Sequence, residues 1–145
     1  MSKPRTAKCA CGGVSATTEG DPEFVVLCSC TQCQRRTGGP FGVGAYFRRE
    51  AVILSGATRT FVRTVEGTDR TVSNHFCPEC GGTVYWTLDL RPAHIGIATG
   101  QFADPDFPAP TRAVWTQHKH GWVTLPPGIP AFAQAVPTPS GGTSR

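Results

Sequence analysis

Seven cysteines in three short clusters constrain this chain more than any other feature of its sequence. Cysteines one or two residues apart can bind one metal ion easily, whereas they rarely satisfy the separation and dihedral angle of a disulfide. Because seven is an odd number, the cysteines also cannot all pair within one chain. The pattern therefore indicates metal binding. The clusters are Cys9-Ala10-Cys11, Cys28-Ser29-Cys30-Thr31-Gln32-Cys33 and Cys77-Pro78-Glu79-Cys80.

The first and last clusters each end in a glycine, which is typical of a zinc knuckle. Glycine permits the positive φ with which a tight turn aims backbone N–H groups at the sulfurs. We predict one closed, structural zinc site formed by Cys9, Cys11, Cys77 and Cys80. The alternative is a redox pair at the last cluster. A thioredoxin-like motif requires a βαβ setting, and here two glycines and a predicted strand follow instead.

The middle cluster offers three thiolates, from Cys28, Cys30 and Cys33. Zinc with three protein ligands keeps its fourth position for water or substrate, as catalytic zinc does. We therefore predict a second, catalytic zinc ion at these residues. Two alternatives stay open at this point. His75 would complete a structural site, and an iron–sulfur cluster would also suit thiolates, which do not by themselves choose between iron and zinc.

Charged and imidazole side chains suggest what else surrounds the metal. The net charge is +4, and the positive residues lie in pairs rather than in a block, which favours a small anionic ligand over nucleic acid. We expect Arg35 and Arg36 to offset the negative charge of the cysteine site and to bind ligand carboxylates, unless they are only a solvated face. His118 and His120 could bind a metal, but alternation on a strand would leave both in solvent.

The chain is predicted to be mainly β. With 17 Gly and 13 Pro it is rich in turns, and the spacers are too short for crossover helices, so antiparallel sheets are expected. The runs rich in Val, Thr and aromatic residues predict nine strands. They are Gly13 to Glu19, Phe24 to Cys28, Val43 to Phe47, Ala51 to Ser55, Arg59 to Val65, Thr71 to Phe76, Thr83 to Leu88, His94 to Ala98 and Arg112 to Thr116.

One short helix is predicted from Thr31 to Thr37. Thr31 is the expected N-cap, Gly38 the left-handed closing residue, and Pro40 prevents continuation. Cys33 would then lie in the first turn, where the partial positive charge of a helix N-terminus stabilises a thiolate.

The chain of 145 residues is expected to form one domain, residues 1–134, followed by a disordered tail rich in Pro, Gly and Ser at residues 135–145. The start is polar and basic with no apolar stretch behind it. This predicts no signal peptide, no membrane association and a reducing, cytoplasmic location.

The order of these motifs resembles the glutathione-dependent formaldehyde-activating enzyme family, which includes centromere protein V. The resemblance extends from Cys9 to Phe132 and implies a β-tent fold of short antiparallel sheets organised around zinc. It implies the same division of cysteines into four structural and three catalytic ligands. Gly100 to Pro105 departs from the usual family stretch by a bulkier Phe102 and one acidic residue fewer. Besides the cysteine clusters the resemblance includes Thr37-Gly38-Gly39-Pro40-Phe41, Gly100-Gln101-Phe102-Ala103-Asp104-Pro105, Pro110, Trp115 and Trp122.

The resemblance implies a carbon–sulfur lyase that joins or splits a thiol such as glutathione and a small aldehyde such as formaldehyde. Three thiolates leave zinc an open position, where an incoming thiol has a lowered pKa and becomes a nucleophile at neutral pH. The alternative is a non-catalytic zinc module that binds a protein or nucleic-acid partner. The lack of a basic extension argues against nucleic acid.

Overall fold

The computed structural model describes residues 3–137 and the backbone of residues 143–144. Over these residues the fold is mainly β with one short α-helix, as predicted. Three 3₁₀ turns, Arg49–Ala51, Thr99–Phe102 and Thr116–His118, connect some of the strands. The elements in chain order are β1 (Arg5–Lys8), β2 (Ser15–Thr18), β3 (Phe24–Cys28), α1 (Thr31–Thr37), β4 (Gly42–Arg48), β5 (Val52–Ser55), β6 (Arg59–Thr64), β7 (Thr71–Phe76), β8 (Thr83–Leu88), β9 (His94–Ala98), β10 (Arg112–Val114), β11 (Val136–Pro137) and β12 (Thr143–Ser144).

The chain forms two compact units. The first comprises Met1–Glu23 and Ala45–Phe107, and the second comprises Phe24–Gly44 and Pro108–Arg145. β4 begins in the second unit and ends in the first. A single domain over residues 1–134 stays a prediction.

The first unit contains two groups of strands. β1, β2 and β5 form a small antiparallel sheet, and β9, β8, β7 and β6 lie side by side in that order. Trp86 on β8 pairs with Gly96 on β9, and a Cβ on Gly96 would overlap the indole ring. Glycine at this position therefore allows the large ring to lie flat across the neighbouring strand, where its Nε1 donates to the Tyr46 hydroxyl at 3.0 Å. The prediction of antiparallel sheets is confirmed in this unit.

The second unit contains a parallel pair, which is an exception to the antiparallel pairing that was predicted. β10 pairs with β3 in parallel, with Val114 opposite Cys28. The spacers between consecutive strands do not reveal this pair, because β10 follows β3 only after most of the chain has intervened. β3 is buried along its whole length. Its sequence is continuously apolar, which is typical of a strand covered on both faces.

Helix α1 has the predicted bounds but a different N-cap. Thr31 is already the first helical residue, and the extended cap residue is Cys30, whose Sγ accepts a hydrogen bond from the Cys33 N–H at 3.3 Å. Gly38 closes the helix in the left-handed conformation (φ 71°), as predicted. The sulfur that caps this helix is thus one of the three clustered thiols.

Within the predicted disordered tail, Val136–Pro137 pairs with Thr143–Ser144. Residues 138–142 and 145 lie outside the described residues, so disorder of the tail stays a prediction. The helices that the structure describes are all too short or too polar to cross a bilayer.

Candidate metal centres

The four cysteines of the two knuckles come together in the first unit. The sulfurs of Cys9, Cys11, Cys77 and Cys80 all lie within 4.8 Å of one another. The Sγ atom of Cys11 is 3.7 Å from that of Cys9 and 3.6 Å from that of Cys77. Four sulfurs about 2.3 Å from a tetrahedrally coordinated zinc would lie about 3.8 Å apart, whereas a disulfide requires about 2.05 Å. The cluster therefore fits a closed four-sulfur zinc site.

The knuckle turns have the geometry that their glycines predict. Gly12 and Gly81 adopt left-handed φ angles of 80° and 78°. Their N–H groups donate to the carbonyls of Cys9 and Cys77, both at 2.9 Å. The tight turns direct further N–H groups at sulfur, since Cys9 Sγ accepts from Val14 at 3.3 Å and Cys77 Sγ from Glu79 at 3.4 Å. Such donors favour the thiolate form that binds metal.

Hydrogen bonds shift the pKa values of this cluster in opposite directions. Backbone N–H groups of Cys11 and Gly82 lower the pKa of Cys80 to about 6. The N–H of Gly13 lowers the pKa of Cys11, but hydrogen bonds with Cys77, Cys9 and Cys80 outweigh it and raise this pKa to about 11. One thiol therefore ionises readily while its neighbour keeps a proton, which a divalent cation would displace on binding.

The three remaining cysteines form a second cluster, in the second unit. The sulfurs of Cys28, Cys30 and Cys33 lie within 4.8 Å of one another, and all three residues are buried. Cys28 ends β3, Cys30 caps α1 and Cys33 lies in its first turn. Hydrogen bonding with Cys28 lowers the pKa of Cys30, but hydrogen bonding with Cys33 and burial outweigh it and raise this pKa. The donor set fits zinc with three sulfur ligands.

His75, the proposed fourth ligand, is not part of this cluster. Within residues 3–137 the group of potential metal ligands contains only the three sulfurs. The His75 Nδ1 lies 3.2 Å from the Thr60 hydroxyl, and its ring stacks on Tyr85 at 4.7 Å. Burial lowers the pKa of His75. The alternative in which His75 closes the site gains no support from these contacts.

A cleft of about 440 Å³ runs along one face of α1 in the same unit. Gln34 and Arg35 follow Thr31 by three and four positions, so both lie on the same side of the helix as Thr31. Arg35 is exposed in this cleft. Arg36 instead packs beside Gly42, where a Cβ would lie 2.5 Å from its guanidinium nitrogen. The lining residues include Thr31, Gln34, Arg35, Pro40, His120 and Trp122.

Gln34 links this helix to the segment that carries the histidines. Its Nε2 donates to the carbonyls of Ser29 at 2.9 Å and His118 at 3.1 Å, and its Oε1 lies 3.2 Å from His120 Nε2. The strand alternation expected for His118 and His120 is wrong, since Trp115 turns the chain with φ 56° into a 3₁₀ turn. Sequence reasoning missed Gln34 and Trp122 as site residues, because no local pattern signals contacts between residues so distant in the chain.

Comparison with known proteins identifies the family. The family model described as glutathione-dependent formaldehyde-activating enzyme matches residues 4–118. The chain belongs to this family. Its expected resemblance to the glutathione-dependent formaldehyde-activating enzymes is thereby confirmed, and both cysteine clusters fall within the matched residues.

A solved structure shows the same fold. The chain is similar to the crystal structure of a Rhodobacter sphaeroides protein, with 17% sequence identity, 88% of this chain and 98% of that chain covered, and a TM-score of 0.51. No curated protein matches the sequence. Family membership therefore comes from the family model, and the solved structure supports the fold alone.

Proposed function

We propose that this protein is a zinc-dependent carbon–sulfur lyase that joins or splits a glutathione-like thiol and a small aldehyde such as formaldehyde. The observation that carries the proposal is the buried trio of Cys28, Cys30 and Cys33, to which no fourth His, Cys, Asp or Glu ligand is added among residues 3–137. A donor set of three is typical of zinc that performs chemistry, and a set of four of zinc that stabilises a fold.

The two clusters would have different roles. Cys9, Cys11, Cys77 and Cys80 would hold the structural ion, and the trio would hold the catalytic one. A zinc ion at the trio would supply an open coordination position and a lowered pKa for the incoming thiol. The free thiols of all seven cysteines in this structure support a reducing, cytoplasmic setting as part of the proposal.

The side chains around the trio would orient the ligand and exclude water. Burial of the three sulfurs keeps bulk water from the metal ligands, which strengthens electrostatic interactions there. Arg35 in the cleft would bind a carboxylate of a glutathione-like thiol. Arg36 is half-buried beside Gly42, and its positive charge would partly offset the charge of the thiolates.

The reaction is an addition that conserves all atoms. The thiol sulfur forms a bond with the aldehyde carbon, the π electrons of the carbonyl move to oxygen, and the hydrogen lost from sulfur ends on that oxygen. The product is a hydroxymethyl thioether, and the reverse sequence splits it. Because thiols and formaldehyde also combine without a catalyst, activity must be measured as an acceleration over the protein-free rate.

Metal analysis together with kinetics of Cys30→Ser tests the proposal. Elemental analysis of the intact wild-type protein should give two zinc ions per chain, and the variant should retain one zinc and its fold. The wild-type protein should accelerate exchange between the free thiol and its aldehyde adduct, measured by NMR, and the variant should not. Iron in place of zinc, an unfolded variant, or two zinc ions without acceleration would contradict the proposal. The last result would favour a non-catalytic binding module.

A further inference from the structure

The hydrogen bonds of Gln34 fix the orientation of its side-chain amide. Nε2 faces two backbone carbonyls, of Ser29 at 2.9 Å and of His118 at 3.1 Å. Carbonyl oxygens only accept hydrogen bonds, and the amide nitrogen is the donor end of glutamine. A flipped amide would place its oxygen against both carbonyls, so the orientation with Nε2 toward them is the one that the surroundings permit.

The fixed amide in turn selects a tautomer of His120. The Oε1 atom of Gln34 lies 3.2 Å from His120 Nε2 and can only accept, so Nε2 must carry the hydrogen. A neutral imidazole with its proton on Nε2 has its lone pair on Nδ1. Nδ1 is therefore the atom of this ring that accepts a proton.

His120 lines the candidate ligand cleft of the second unit. His120 and Trp122 line the cleft with Thr31, which directly follows Cys30 in the chain. A single side chain, Gln34, connects the imidazole to the carbonyl between Cys28 and Cys30.

The charged and aromatic groups around this ring are few among the described residues. Arg35 lines the same cleft, and Lys119 donates to the backbone carbonyls of His120 and Val123 at 3.4 and 2.8 Å. Trp122 contacts the ring edge to face, with centroids 6.0 Å apart. The His118 ring stacks on Trp115 instead.

We propose that His120 transfers the proton of the thiol–aldehyde reaction through Nδ1, and that Gln34 is its positioning residue. This inference rests on the proposed function and assigns a proton carrier to that reaction. In the forward direction the S–H bond of the thiol breaks and its proton moves to Nδ1, while the electron pair stays on sulfur. The sulfur attacks the aldehyde carbon, and Nδ1 returns the proton to the new alkoxide oxygen. The imidazole ends as it began, so no co-reactant is consumed.

Two variants and a matched control test the assignment. His120→Gln should slow adduct exchange about a hundredfold, at the lower end of general acid–base contributions. His118→Gln should retain wild-type exchange, because its ring packs on Trp115. Zinc content of both variants, measured alongside, should equal that of wild type, and both should unfold cooperatively, with a slightly lower midpoint for His118→Gln because it loses the contact with Trp115.

Gln34→Met tests positioning by a readout independent of activity. In wild type at pH 8, the ¹⁵N chemical shifts of His120 should show the Nε2–H tautomer in excess. The variant should show a shift toward a mixture of tautomers, with a reduced maximal rate and a KM changed less than the rate. Rates close to wild type in Gln34→Met would refute the positioning role, and an Nδ1–H tautomer in wild type would refute the whole assignment.

The outcomes also separate this inference from the proposed function. If wild type accelerates exchange and His120→Gln does so equally, only the role of His120 is refuted. If wild type with two zinc ions gives no acceleration, the proposed function is refuted and the role of His120 is refuted with it.

Discussion

The two cysteine clusters differ in both exposure and number of donors. In the four-sulfur cluster Cys11 and Cys80 are exposed, yet the donor set suits a complete tetrahedron. In the three-sulfur cluster all the cysteines are buried, yet the set lacks one ligand. Under the proposed function, reactivity would follow the number of protein ligands at each site and not the exposure of those ligands to solvent. An exposed but complete site is suited to holding the fold, and a buried but incomplete site is suited to binding a substrate atom.

The largest expected effect distinguishes the two clusters by stability. Cys77→Ser should lower the free energy of unfolding by about 4 kcal/mol or more, because loss of a structural metal is among the most destabilising changes. Cys30→Ser, the matched control with an equally buried cysteine, should lower it by about 1 kcal/mol. Chemical denaturation followed by circular dichroism checks both. Equal losses in the two variants would show that both ions support the fold and would remove the distinction between the clusters.

A smaller effect is expected at the turn glycines. Gly81 closes a knuckle at φ 78° and Gly38 closes α1 at φ 71°, and a Cβ on either would contact nothing within 4 Å. Replacement of either by Ala should therefore cost only the backbone strain, about 1 kcal/mol. The zinc chelator concentration that removes half of the metal should fall for Gly81→Ala and stay unchanged for Gly38→Ala. A similar fall in both would mean that the knuckle turn has no special role in holding the ion.

The smallest expected effect is on the pH dependence of stability. It distinguishes two causes of instability in acid, protonation of a carboxylate and loss of the metal. The hydrogen bond with His94, at 2.8 Å, lowers the pKa of Glu23. A lowered pKa in the folded state stabilises the protein above the unfolded pKa of about 4.3, and this stability is lost as pH falls through the folded value. Glu23→Gln should therefore reduce the loss of stability in acid only slightly, because the Glu23 side chain is 44% exposed and solvent screens its interaction with His94. Thermal melts between pH 6 and 3 check this. An unchanged acid limb would assign acid sensitivity to metal loss instead.

Local patterns in the sequence predicted much of the fold. β3, β7, β8 and β9 have their predicted bounds, since runs of β-branched and aromatic residues between turns signal strands directly. β1 was missed because Arg5–Lys8 has only one buried apolar residue, Ala7.

The parallel pairing of β10 with β3 was not predictable in the same way. It depends on register between segments far apart in the chain, and no local pattern encodes it. The N-cap at Cys30 was also missed, since Thr31 has the higher general preference for that position and only the structure shows the sulfur accepting the bond.

The sequence by itself determined the donor chemistry of this protein. Spacing of one or two residues between thiols, followed by glycine, favours metal binding within a single turn, whatever lies elsewhere in the chain. The tertiary structure alone decided which side chains meet in the cleft along α1. Gln34 and His120 meet only because β10 pairs with β3 and Trp115 then turns the chain back toward α1. Such contacts form between distant segments by packing, and packing is decided by the whole fold and not by neighbouring residues.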